Sequence, residues 1–142
     1  MPFNIIYDFG FERTLIMYSV YVPEKPLIGE KSLVSYAHTE GKNNIATGYS
    51  AHAEGVSTLA TGEGSHSSGN LTKAFGIFSH AEGFRTMARG QDAHAEGADT
   101  EATGSHSHAE GMSTHAVADC THAEGAETSA SGKYAHAEGY ST

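Results

Sequence analysis

A histidine recurs every 14 residues along this chain, at His38, His52, His66, His80, His94, His108, His122 and His136. Seven of the eight are followed two residues later by a glutamate: Glu40, Glu54, Glu82, Glu96, Glu110, Glu124 and Glu138. An imidazole beside a carboxylate can serve as a catalytic pair, form a charge-assisted hydrogen bond, or ligate zinc or iron. Any one such site needs the pair once. Repetition at every level points instead to a stacked architecture in which each unit contacts mainly its neighbours, and to a residue pair that holds an assembly together.

The elements that must carry these residues follow from one repeat. Residues 93–105 read Ala-His-Ala-Glu-Gly-Ala-Asp-Thr-Glu-Ala-Thr-Gly-Ser, two similar halves of seven. Each half alternates in character with period two and then turns, the pattern of a short strand. Glycine every seven residues opposes a helix and is expected to supply the turns with positive φ. One face of each strand is restricted to small residues: Ala93 and Ala95, or Ser107 and Ala109, in the first; Thr86 and Ala88, or Thr100 and Ala102, in the second. An interior too narrow for leucine, with two strands per turn, describes a flattened β-solenoid whose coils lie about 4.8 Å apart.

The outward positions differ between the halves. In the first, histidine and glutamate recur at nearly every level. In the second they vary: Leu59 and Thr61, Lys73 and Phe75, Met87 and Arg89, Glu101 and Thr103, His115 and Val117, Ser129 and Ser131. A solvent face tolerates such variety. An unvarying face is expected to pack against another copy of itself. Energetics agree, because a core of Ala, Ser and Thr buries little apolar area at roughly 25 cal/mol per Å². That barely offsets about 1–2 kcal/mol of backbone entropy per residue. Copies placed side by side would add burial, each His donating to a Glu of a neighbouring chain.

Composition divides the chain near residues 35–37. Three prolines and seven of thirteen aromatics precede residue 37, whereas fifteen of seventeen glycines follow it. Residues 1–36 are expected to form a β-rich cap or attachment segment, with strands at 5–7 and 15–22, and residues 37–142 the roll of eight repeats. A net charge of -9 argues against a nucleic-acid partner. No apolar run is long enough to span a membrane. The N-terminus lacks the basic-then-apolar order of a secretory signal. Cys120, the single cysteine, reads as a small thiol at a turn.

The pattern Ser-His-Ala-Glu-Gly-x-x-Thr-x-Ala-x-Gly-x-x over residues 37–142 resembles the 14-residue head repeat of trimeric autotransporter adhesins. The family's first strand reads Ser-Val-Ala-Ile-Gly. The resemblance implies an all-β, left-handed parallel β-roll, three rolls side by side as a homotrimer. His and Glu stand where the family's axis-facing apolar residues do, so it implies that His94 and Glu96 face the axis. The His-Ala-Glu-Gly wording is similar to repeats in phage tail fibres and tailspikes.

The resulting expectation is a structural, non-enzymatic module of a phage tail fibre or related receptor-binding appendage, located in the virion. The alternative is the head of a bacterial trimeric surface adhesin. The missing secretory signal and stalk favour the former. The expected interface ladder comprises the eight histidines and seven glutamates above, including His66, whose level lacks a glutamate. A host receptor or glycan would bind the variable outer face. No catalytic residue, cofactor or metal is assigned. His106-Ser107-His108 is similar to the His-x-His with which some phage fibres hold an axial iron, but His106 falls at a turn and should point away from the ladder. A metal-binding or ice-binding solenoid is the remaining alternative; the threonine column from Thr58 to Thr142 resembles an ice-binding face, but shares its face with invariant alanine and reads as interior. Local irregularity is expected at three coils: the first, with Thr39 and Asn44; the third, with Ser68 for Glu; and the seventh, with Ala118 for Gly. Phe84 is expected to pack between chains, and acid to loosen the trimer.

Overall fold

The computed structural model describes residues 31–32 and 36–142. The strands expected at 5–7 and 15–22 lie outside the described residues. What is described is a parallel β-solenoid of two eight-stranded sheets. One sheet is built from the five-residue strands His38–Lys42, His52–Val56, His66–Asn70, His80–Phe84, His94–Ala98, His108–Met112, His122–Ala126 and His136–Tyr140. The other contains two-residue strands: Lys31–Ser32, Ile45–Ala46, Leu59–Ala60, Lys73–Ala74, Met87–Ala88, Glu101–Ala102, His115–Ala116 and Ser129–Ala130. Each strand pairs with the one 14 residues away, so like lies on like: His94 on His80 and His108, Ala102 on Ala88 and Ala116. Lys31–Ser32 already pairs with Ile45–Ala46 in this register.

The interior is as narrow as the small-residue faces predict. Among the described residues its buried apolar part is alanine alone, fourteen residues from Ala46 to Ala130. Thr58, Thr72, Thr86, Thr100, Thr114 and Thr128 are buried beside them. The threonine column therefore lines the core, and through those six levels it offers no face to solvent. At the corners that lead into the long strands, Ser65, Ser79 and Ser107 donate their hydroxyls to the carbonyls of Gly62, Gly76 and Gly104 at 2.6–2.7 Å.

Gly64 takes a left-handed corner at φ 60°, the turn role expected of the glycines, but the others divide into two different classes. Gly55 and its equivalents sit inside the long strand, with φ near +105° to +113°. Gly62 and its equivalents do not have positive φ. They are required by proximity: a Cβ on Gly62 would lie 1.8 Å from the carbonyl oxygen of Gly76 one coil on. Apart from Gly64, the left-handed corners are taken by other residues, among them Leu71, Arg85, Phe78, Asp92 and Cys120, with φ of 53–60°. Stacking imposes that conformation on side chains that rarely adopt it alone.

Of the three irregular coils, the third keeps full register, His52–His66–His80, with Ser67 inside donating to or accepting from Thr72 at 2.8 Å. In the first, the buried Asn44 amide bridges two levels. Its Nδ2 donates to the Gly55 carbonyl and its Oδ1 accepts from the Thr58 N–H, both at 2.9 Å. The irregularity expected of the seventh coil at Ala118 falls in the sixth, which begins at His108; the roll continues past it, but the corner loosens. The Tyr134 N–H reaches the Asp119 carbonyl at 3.2 Å, against 2.8–2.9 Å at the corners of Gly64, Phe78, Asp92, His106 and Cys120. Cys120 is exposed.

Candidate functional site

The long-strand sheet brings every expected ladder residue into one continuous face. Parallel in-register pairing aligns all eight histidines, and it aligns the glutamates except where Ser68 stands between Glu54 and Glu82. The imidazole rings form a column with centroids 4.7–5.0 Å apart. From His94 to His136 successive planes lie within 2° of parallel. The order breaks at the first coil, where His38 stands 71° from His52, and at His80, which tilts by 50° from His66 and 41° from His94. There its Nε2 reaches Glu82 at 3.2 Å, the one hydrogen-bonded His–Glu pair among the described residues.

Elsewhere the partners face each other without bonding. His94–Glu96, His108–Glu110 and His122–Glu124 each hold Nε2 to Oε2 at 3.5 Å, and His52–Glu54 at 3.7 Å. These separations exceed a hydrogen bond. Yet the Nε2 atoms of His52, His66, His94, His108 and His122 are shielded from solvent within the column. The side chains themselves remain about one-third exposed, 36–38% for His94, His108 and His122. The ladder is thus a half-buried surface with hidden, unsatisfied nitrogens. At its ends, His38, Glu40, His136 and Glu138 are exposed.

This stacking also sets the protonation behaviour. Burial holds the pKa of His94 below 6.5, and neighbouring His108 and His80 depress it further, against the opposing pull of Glu96 and Glu82. His66 is lowered for the same reasons, burial first and then His80 and His52, with Glu54 and Glu82 opposing.

His106 and His108 point to different neighbourhoods, as the turn position implied. His106 sits at a left-handed corner with Nδ1 3.5 Å from Asp92, away from the ladder. Phe84 lies at the end of the strand His80–Phe84 and not in the turn after it, and it is exposed. Its equivalents Val56, Met112 and Tyr140 are exposed too, apolar members of a strand-end column that Lys42 and Asn70 interrupt.

A second set of charged pairs lies outside the ladder. Arg85 donates to Asp99 at 2.6 Å, Arg89 donates to Glu101 at 2.7 Å, and Lys133 lies 3.6 Å from Asp119. Their signal was opposite charge at 14-residue spacing, as in Arg85 and Asp99 or Asp119 and Lys133. Arg89 also covers the Phe75 ring on the variable face, 5.4 Å from its centroid.

Among the described residues no helix is long and apolar enough to cross a membrane. Compared with known proteins, the chain matches no family model and no curated protein.

Proposed function

We propose that this chain is a structural, non-enzymatic module: a homotrimeric, left-handed β-roll in a phage tail fibre or related receptor-binding appendage. Three copies face one another through the His/Glu ladder, and the short-strand sheet faces outward. There the varied side chains around Phe75, Met87 and Arg89 are available to a host receptor or glycan. The same architecture in a bacterial surface adhesin head is the second reading, favoured by the same repeat.

One observation carries the proposal. The outward positions of the long strands are nearly invariant through eight coils, with Nε2 atoms hidden and unbonded, whereas those of the short strands change at each coil. A face with unbonded nitrogens at five of its eight levels is suited to a partner with the same repeat. The exposed side chains of Val56, Phe84, Met112 and Tyr140 beside it add apolar area for such an interface. The glutamates then bring acceptors, and the histidines donors, to a neighbouring chain.

Small-angle scattering tests this reading. The cross-sectional radius in solution should match three rolls packed side by side. A cross-section of one roll would overturn it. The genes flanking this one separate the two settings: tail components for the phage reading, surface-export functions for the adhesin.

A further inference from the structure

We propose that the ladder of a single roll binds divalent transition ions of the zinc type, each ion held by two histidines and one glutamate from adjacent coils. The inference stands on the geometry of one roll and goes beyond the assembly proposed above.

The ligand atoms are already gathered. Five groups hold their donor atoms within 4.8 Å of one another: His38, Glu40 and His52; His52, Glu54 and His66; His94, Glu96 and His108; His108, Glu110 and His122; His122, Glu124 and His136. Two imidazoles and a carboxylate are a zinc donor set that leaves a fourth position for water or another side chain.

The distances discriminate between a hydrogen-bonded pair and a shared ion. Two donors on a tetrahedral zinc, each at its usual bond length, lie about 3.4 Å apart. The Nε2–Oε2 separation is 4.0 Å at His38–Glu40, 3.7 Å at His52–Glu54, and 3.5 Å at His94–Glu96, His108–Glu110 and His122–Glu124. All are too long for a hydrogen bond, and the last three are close to the spacing of two ligands on one ion. The one pair that does hydrogen-bond, His80–Glu82 at 3.2 Å, belongs to none of the five groups. The second histidine of each group, stacked 4.7–5.0 Å from the first, must close in by roughly 1.5 Å, through rotation of a ring on a half-exposed face.

The nitrogens also need a partner. The Nε2 atoms of His52, His66, His94, His108 and His122 are hidden from solvent and unbonded, a costly state for a polar atom. Four of these five belong to histidines that appear in a group with a glutamate from their own coil, and His66 is reached by Glu54. Because neighbouring groups share histidines, ions that keep their own ligands number at most one between His38 and His66 and two between His94 and His136.

The test uses the full chain, stripped with chelator, equilibrated with micromolar zinc or cobalt and desalted before metal analysis. Three equivalents per chain are expected, with visible cobalt absorption of a four-coordinate nitrogen–oxygen site. His108→Gln with His122→Gln breaks all three groups of the C-terminal half and should cut uptake threefold, to one equivalent. His80→Gln should leave uptake unchanged. No retained metal, or equal losses in His80→Gln and the double variant, would overturn the proposal. Uptake is scored per chain, so it stands or falls whether the protein is monomeric or trimeric. Circular dichroism confirms that each variant keeps its strands.

Discussion

His94 lies flat on His108, ring centroids 4.7 Å apart and planes within 2°. In-register parallel pairing places them so, because each coil sets its histidine directly over the last. Burial first, and then the charge of the histidines above and below, disfavours the protonated form at His66 and His94.

His66 and His94 have folded-state pKa values below the ordinary 6.5. The unfolded chain therefore binds more protons than the folded one as pH falls through and below 6.5, and stability declines over that window. In chelator-containing buffer, the melting temperature should be lower at about pH 5 than at about pH 8. His94→Gln should flatten that dependence. A melting temperature that is level or rises on acidification would contradict it.

Close coil contact makes two glycines respond oppositely to the same substitution. A Cβ on Gly76 would lie 1.8 Å from the Gly90 carbonyl oxygen, whereas on Gly132 it would meet only the Ala135 Cβ at 3.8 Å. Gly76→Ala should cost at least about 2 kcal/mol. Gly132→Ala should change stability by under about 1 kcal/mol, in the stabilising direction through the unfolded chain. Urea midpoints of the two variants check this; equal shifts would show that the coils do not approach so closely.

Interior hydroxyls offer a second contrast. Thr86 Oγ1 is buried without a hydrogen-bond partner, whereas Thr72 Oγ1 bonds Ser67 Oγ at 2.8 Å. Thr86→Val removes an unsatisfied group at constant shape, so stability should be unchanged or rise by up to about 1 kcal/mol. Thr72→Val strands the Ser67 hydroxyl and should cost about 1–3 kcal/mol. Calorimetric melting of both variants reads the difference; a loss in Thr86→Val matching that in Thr72→Val would contradict it.

Two glutamates test which face carries the assembly. Glu101 pairs with Arg89 at 2.7 Å on the variable sheet, an exposed ion pair worth about 0–1 kcal/mol. Glu96 faces His94 on the ladder. Glu96→Ala should weaken trimer association at least tenfold, about 1.4 kcal/mol, and Glu101→Ala less than that. Sedimentation over a dilution series measures both, and equal effects would place the ladder in solvent.

Much of this architecture was legible because each interior position states its constraint openly. Ala95 and Ala109 or Thr86 and Thr100 admit nothing larger, and a strict 14-residue period forces them into register. The glycine roles were not legible. Gly55 and Gly62 look alike in sequence, yet one serves a left-handed φ and the other a carbonyl one coil away, and only the stacking distinguishes them. The corners at Leu71 and Phe78 were hidden because local preference disfavours their conformation and neighbouring coils override it. At the ladder, the sequence predicted which residues align. It did not predict that His80 leaves the ring stack and bonds Glu82.

The central claim, that an invariant His/Glu face exists to meet copies of itself, is tested most directly by the mass of the purified protein in solution. Light scattering or native mass spectrometry at neutral pH should give a single species at three times the 14.9 kDa chain mass. A species of 14.9 kDa that persists at high concentration would contradict the account.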